Sequence, residues 1–122
     1  MKQEQVSFAK LGTADLVRLV GEIDLANAPA IGREIIMHTT AAGAVLVDLT
    51  SVSFLDSAGV RLLDALVGDL DDQGTPIRLV VGETGAARMT LQLFAFRDEL
   101  LATDLDQAAA SLGGGPAYPG DP

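Results

Sequence analysis

Residues 45–81 read VLVDLTSVSFLDSAGVRLLDALVGDLDDQGTPIRLVV, and this stretch decides the fold class. Its first five residues are almost all apolar, and this is typical of a central strand that is covered on both faces. Apolar residues then recur at helical spacing, as Val60, Leu63, Leu66, Val67 and Leu70. Another interior-type strand follows at residues 77–81. The order strand, helix, strand predicts a right-handed parallel crossover.

The segments on either side of this unit extend the sheet. Residues 6–8 alternate between apolar and polar, and residues 16–20 form a second apolar run, so a hairpin precedes the crossover. Asn27 and Pro29 predict the start of a helix, because a side-chain acceptor precedes a proline that has no N–H to lose. A third helix is predicted from Ala86 to about residue 94.

The end of the chain adds a short strand near residues 100–103 and a last helix capped by Asp104. We therefore predict an α/β fold: a single domain over residues 1–112, with a mixed sheet of about four to five strands and helices packed mainly on one face. Residues 113–122 are mostly Gly and Pro, with too little apolar surface to offset the entropy of ordering, and predict a disordered tail.

Composition narrows the classes of partner. Of the 122 residues, seventeen are acidic and eight are basic, which gives a formal net charge of −9. Nucleic acids and anionic lipids are bound by clustered Lys and Arg, so the charge argues against both. A protein partner with a basic face fits the charge, and so does a simple role in solubility. No run is apolar and long enough to span a membrane, and we expect a soluble cytoplasmic protein.

Residues typical of catalytic or metal centres are scarce. The chain has no cysteine, which excludes disulfides and thiol nucleophiles. The single histidine, His38, falls in the predicted first helix without an obvious carboxylate partner. The turn at residues 82–85 lacks the lysine of a phosphate loop, and Asp71 and Asp72 are adjacent rather than convergent. We expect no enzymatic activity, no catalytic residue, no cofactor and no metal site.

Ser57 lies where the apolar strand-like run ends and the helical pattern begins. Its hydroxyl is predicted to be an N-cap that accepts a hydrogen bond from a first-turn N–H. The positive end of a helix also favours an added phosphate, but the residues alone favour a plain cap. Gly59 is a poor helix former at a cost of about 0.5–1 kcal/mol relative to Ala. It indicates that either a partner or a crossing strand approaches closely there.

Three blocks together resemble the STAS domain of bacterial anti-sigma factor antagonists. They are residues 21–24 (GEID), 47–49 (VDL) and 52–60 (VSFLDSAGV), in the expected order and spacing. The similarity runs from about residue 6 to residue 112. Residues 93–100 resemble the family more loosely, because Ala95 stands where the family often has glycine.

The resemblance implies a binding module that is regulated by phosphorylation. In such proteins an anti-sigma factor that is also a serine kinase binds the unphosphorylated antagonist and releases its sigma factor. The kinase then phosphorylates a serine, the antagonist dissociates, and a phosphatase resets the cycle. Ser57 matches that serine. The implied partner-binding residues are Asp24, Asp56, Ser57, Ala58, Gly59 and Arg61.

Alternative interpretations remain open. The chain could be a STAS adaptor in a stress-signalling or transporter-associated complex, with Ser57 as a cap only. A small-molecule or nucleotide-binding domain, or a weak nucleotide hydrolase, is a third interpretation, and the lack of a phosphate loop and a general base argues against it. Asp56 could shape the helix start, and Asp24 the loop before the first helix, instead of contacting a partner.

Overall fold

One mixed five-stranded sheet forms the fold in a computed structural model that describes residues 5–112. The strands are β1 (Val6–Leu11), β2 (Ala14–Ile23), β3 (Val45–Leu55), β4 (Ile77–Val80) and β5 (Leu101–Ala102). They lie side by side in chain order, β1 antiparallel to β2 and every later pair parallel. The predicted mixed sheet and its opening hairpin are confirmed. The tail predicted at residues 113–122 lies outside the described residues.

Within residues 5–112, four α-helices cover the sheet, three on one face and one on the other. They are α1 (Ala28–Thr39), α2 (Ser57–Asp72), α3 (Ala86–Leu93) and α4 (Leu105–Ser111). The first three share the main core with one face of the sheet. The last covers a smaller apolar cluster that includes Leu16, Leu46 and Val80. The prediction that helices pack mainly on one face is confirmed.

The position of the central strand β3 accounts for its apolar sequence. Val45, Val47 and Leu49 point into the main core, while Leu46 lies in the cluster under α4, so both faces of the strand are buried. Such a strand has no solvent face, and its sequence is therefore continuously apolar rather than alternating.

Asp48 is the one charged residue of β3, and both oxygens of its carboxylate accept hydrogen bonds. It accepts hydrogen bonds from the backbone N–H and the hydroxyl of Thr50, at 2.9 and 2.6 Å, and from Nε of Arg18 at 3.0 Å. Burial raises the pKa of this carboxyl, but the hydrogen bonds from Thr50 and the guanidinium of Arg18 outweigh burial. The net pKa lies below its ordinary value of 3.8.

Asp48→Asn should therefore remove a stabilising contribution that depends on pH. Because the folded-state pKa is lowered, the contribution is fully present above the unfolded-state pKa and is lost as the pH falls through the folded-state value. We expect the variant to be less stable than the parent chain at pH 7, with the gap narrowing below about pH 4. Urea unfolding of both proteins from pH 7 to pH 3 measures the difference between their free energies of unfolding. A difference that does not change with pH would contradict the lowered pKa of Asp48.

The end of α3 uses an alanine in the left-handed region. Ala95 has φ +52°, and its N–H donates to the carbonyl of Gln92 while the N–H of Phe96 donates to that of Leu91, at 3.1 and 2.9 Å. These two bonds are the Schellman pattern, in which the left-handed residue is usually glycine. Phe96 and Leu91 are both buried and supply the apolar contact that accompanies it.

Ala95→Gly should stabilise the protein by about 0.5–1 kcal/mol. Glycine removes a left-handed strain of about 1–2 kcal/mol, and its greater entropy in the unfolded chain offsets part of that gain. Ala65→Gly, at an exposed helical position of α2, is the matched control and should lose about 1 kcal/mol. The free energy of unfolding in urea measures both. Equal losses in the two variants would show that Ala95 is not strained.

Candidate functional site

The candidate site lies where the carboxyl ends of β2 and β3 meet. Ile23 and Leu55 pair at the end of the parallel ladder, so the loops that follow both strands emerge at the same edge of the sheet. Asp24 opens the first loop and Asp56 the second. The backbone N–H of Asp56 donates to the carbonyl of Ile23 at 3.3 Å, which joins the two loops. Two of the sequence blocks thus form one surface.

Asp56, not Ser57, caps helix α2. Its backbone is extended, and its carboxylate accepts hydrogen bonds from the N–H groups of Ala58 and Gly59 at 2.9 and 3.1 Å. The prediction that Ser57 is the N-cap is wrong, because the helix begins at Ser57 itself and the capping residue must precede it. Asp56 therefore shapes the start of the helix, whereas its predicted contact with a partner stays a prediction.

The hydroxyl of Ser57 is consequently not needed to cap the helix. The residue is exposed at the first position of α2, and its hydroxyl makes no hydrogen bond within residues 5–112. Asp56 already satisfies two of the first-turn N–H groups that a serine cap would have used. The hydroxyl is therefore accessible, and it can be modified without breaking a contact that holds the helix.

Asp24 holds the loop before α1. Its carboxylate accepts hydrogen bonds from the N–H groups of Ala26 and Asn27 at 3.0 and 3.3 Å. Asn27 stands at the predicted helix start, but its side chain does not cap α1. Its amide instead donates to the Glu22 carbonyl and to the Gln5 side chain, at 2.8 and 3.1 Å. The loop is thus fixed against the ends of the first two strands.

Gly59 is required by the packing of α2 on the sheet. A Cβ built on this residue would clash with Cδ1 of Leu55 and lie 3.2 Å from its Cγ and 3.3 Å from Cγ2 of Ile23. Both neighbours are buried core residues. Of the two explanations for this glycine, the crossing of a strand and a helix accounts for it. Ala58 is buried as well, so neither residue presents much surface to a partner.

An open apolar groove between α1 and α2 adjoins this helix start, and no pattern in the sequence predicted it. Its volume is about 570 Å³, and Ala58 and Arg61 line the end nearest Ser57. Leu25 and Met37 border it with exposed fractions of 70% and 74%. Large apolar residues at exposed positions are the signal that could have indicated it, but their exposure depends on how the two helices pack.

The remaining titratable side chains between residues 5 and 112 are not gathered into a second site. His38 is exposed and stacks on Phe8, with ring centroids 3.9 Å apart. Within the part of the chain that the structure describes, no three His, Asp or Glu side chains are placed to hold a metal ion. No helix between residues 5 and 112 has the length and apolar character needed to cross a membrane.

Comparison with known proteins identifies relatives of this chain. The model of the STAS domain family matches residues 7–110. An anti-sigma factor antagonist from Mycobacterium paratuberculosis is similar in structure with a TM-score of 0.77 and 26% identity, over 88% of this chain and 92% of that one. No curated protein matches the sequence.

Two further solved structures share the fold at lower identity. The anti-sigma factor antagonist SpoIIAA in its unphosphorylated form gives a TM-score of 0.74 at 18% identity, over 93% of this chain and 99% of that one. The murine anion transporter Slc26a9 gives 0.71 at 17%, over 88% of this chain but only 19% of the transporter. The same fold therefore occurs both as a separate small protein and as part of a transporter.

Proposed function

The chain belongs to the STAS domain family, and on that premise we propose that it is an anti-sigma factor antagonist switched off by phosphorylation of Ser57. Its partner is an anti-sigma factor with serine kinase activity, and a phosphatase restores the unmodified form. The protein itself is not an enzyme and works in the cytoplasm. The observation that carries the proposal is the exposed Ser57 hydroxyl at the start of a helix that another residue already caps.

Some residues of the proposed partner surface contact the partner directly, and the others hold the surface in shape. Ser57 and Arg61 are exposed on successive turns of α2 and would make the direct contacts. Asp24 and Asp56 are half-buried and hold the two loops, so they set the shape of the surface. The remaining two proposed residues, Ala58 and Gly59, are buried and let the helix approach the sheet.

The charge of the region explains how a phosphate could act as a switch. Phosphorylation adds about −1.5 to −2 charge, and Ser57 directly follows the carboxylate of Asp56. In the free protein water solvates the exposed phosphate, so the fold need not change. Against a partner, the same charge loses that water and lies in a lower dielectric, where it opposes docking unless the partner supplies a cation.

The proposal is tested with the purified full chain, Mg-ATP and each serine-kinase anti-sigma factor of the source genome. We expect one of these kinases to bind the chain and to add a single phosphate, which peptide mass spectrometry locates on Ser57. Ser57→Ala should abolish the modification, while Ser53→Ala, an exposed serine on β3, should leave it unchanged. Modification at another residue only, or no modification by any kinase that binds, would refute the switch.

A non-switching adaptor is the second candidate function. The presence of the same fold within an anion transporter favours it, because that protein carries the fold as 19% of a larger chain. Stable binding to a partner without phosphate transfer in the experiment above would support the adaptor instead of the antagonist.

A further inference from the structure

The groove between α1 and α2 has the shape of a site for an elongated apolar segment. It is open to solvent along one side and is lined mainly by aliphatic side chains of both helices. Arg61 and Asp69 lie eight residues apart on α2, which corresponds to about 12 Å along a helix. An open groove of this length suits side chains from a helix better than an enclosed small molecule.

The charged residues of the groove are arranged with opposite signs at its two ends. Helices α1 and α2 run parallel because each connects two parallel strands on the same face of the sheet. Arg33 in the second turn of α1 and Arg61 in the second turn of α2 therefore lie toward the same end, and Asp69 lies toward the other. Neither arginine is in an ion pair within residues 5–112.

This pattern selects one orientation of an occupant. A helix with an apolar stripe and a carboxylate at one end would place the carboxylate beside the two arginines. The opposite orientation would bring that carboxylate to Asp69, where like charges repel. The two exposed border residues, Leu25 and Met37, widen the apolar surface, and the flexible methionine can adapt to different side chains.

Arg61 also connects the groove to Ser57. The two residues are four positions apart on α2 and lie on the same side of the helix. Helical side chains lean toward the N-terminus, so the long side chain of Arg61 can reach over the turn that begins at Ser57. A phosphate on Ser57 would therefore lie within reach of the guanidinium and compete for it with a carboxylate in the groove.

We propose that the groove binds an amphipathic helix of the protein partner, which is oriented by a carboxylate that pairs with Arg33 and Arg61. Phospho-Ser57 weakens this contact because its phosphate pairs with Arg61 in place of the carboxylate. The groove part stands on the arrangement of charges and apolar residues alone. The competition by phosphate rests on the proposed function, because that function supplies the phosphate.

The test uses a synthetic fluorescein-labelled helical peptide with a leucine stripe and one glutamate at its end, and a twin with lysine in place of the glutamate. By fluorescence anisotropy with the full chain, we expect the glutamate peptide to bind about tenfold more tightly than its twin. Arg61→Glu and Arg33→Glu should each reverse or abolish this preference. Arg97→Glu, which changes net charge by the same amount outside the groove lining, should preserve it.

Two further variants decide what occupies the groove and how the phosphate acts. Ala65→Trp fills the groove from an exposed position of α2, and it should abolish peptide binding while circular dichroism shows an intact fold. Phosphoserine at position 57 should weaken the binding of the glutamate peptide severalfold in the parent chain but should leave it unchanged in Arg61→Gln. An equal effect of phosphate in both backgrounds would overturn the competition.

The groove proposal fails if both peptides bind equally, or if neither binds. It also fails if sedimentation shows that the chain forms a dimer which Ala65→Trp disrupts, because a second copy would then be the occupant. These measurements involve no kinase and no sigma factor. Failure of the groove proposal and failure of the proposed antagonist function are therefore distinguishable.

Discussion

Phosphoserine at position 57 is expected to weaken binding of the full chain to its anti-sigma factor by more than a hundredfold. A differential of about 3 kcal/mol between the two forms gives that ratio. Burying a phosphate of about −1.5 to −2 charge in an interface that accommodates a neutral hydroxyl is enough to supply it. The nearby carboxylate of Asp56 adds to the same negative region instead of neutralising it.

The fold should not contribute to this loss. The Ser57 hydroxyl makes no hydrogen bond within residues 5–112, and the Asp56 cap stays in place when the hydroxyl is modified. Ser57→Ala should accordingly bind with an affinity within a few-fold of the parent chain and unfold at nearly the same urea concentration. The change in affinity then belongs to the interface alone.

Isothermal titration calorimetry of the unmodified chain, the phosphorylated chain and Ser57→Ala against the same anti-sigma factor measures these affinities. Phosphoserine incorporated at the exposed position 53 is the control for added charge elsewhere and should weaken binding far less. Comparable affinities of the unmodified and the phosphorylated chains would refute the electrostatic switch. A new far-ultraviolet spectrum on phosphorylation would instead indicate that the phosphate changes the fold.

Regular periodicity made the elements of this fold predictable. The spacing of apolar residues shows which side chains are buried, both in the run at residues 45–49 and in the helix from Val60 to Leu70. The strand, the helix and the crossover could therefore be inferred before any contact was known. The hairpin and the last short elements followed from the same reasoning. The mixed sheet, with most helices on one face, is what these elements require when each buries its apolar side.

Local details were less predictable because neighbouring residues compete for the same role. Asp56 and Ser57 are both good N-caps, and only the backbone angles at the helix start decide between them. Asn27 was predicted to cap α1, but its side-chain amide instead donates to the carbonyl of Glu22 in β2 and to the side chain of Gln5, which precedes β1. The groove depends on how two helices pack side by side, and no short stretch of sequence contains that information.

Gly59→Ala should destabilise the protein by about 1–2 kcal/mol, although alanine is the better helix former. The added methyl group would clash with Leu55 and press on Ile23, both of which are buried under α2. Overpacking of a filled core costs about 1–3 kcal/mol. The gain in helix propensity is at most about 1 kcal/mol, so the steric term decides the sign.

Gly68 of the same helix is the matched control. A Cβ built there meets no atom within 4 Å, so Gly68→Ala gains propensity without a clash and should stabilise the protein by about 0.5–1 kcal/mol. Urea unfolding of the two variants should thus move the midpoint in opposite directions from the parent chain. If both variants were stabilised, the helix could shift away from the sheet without loss, and the close approach of α2 to Ile23 and Leu55 would not be what requires glycine at position 59.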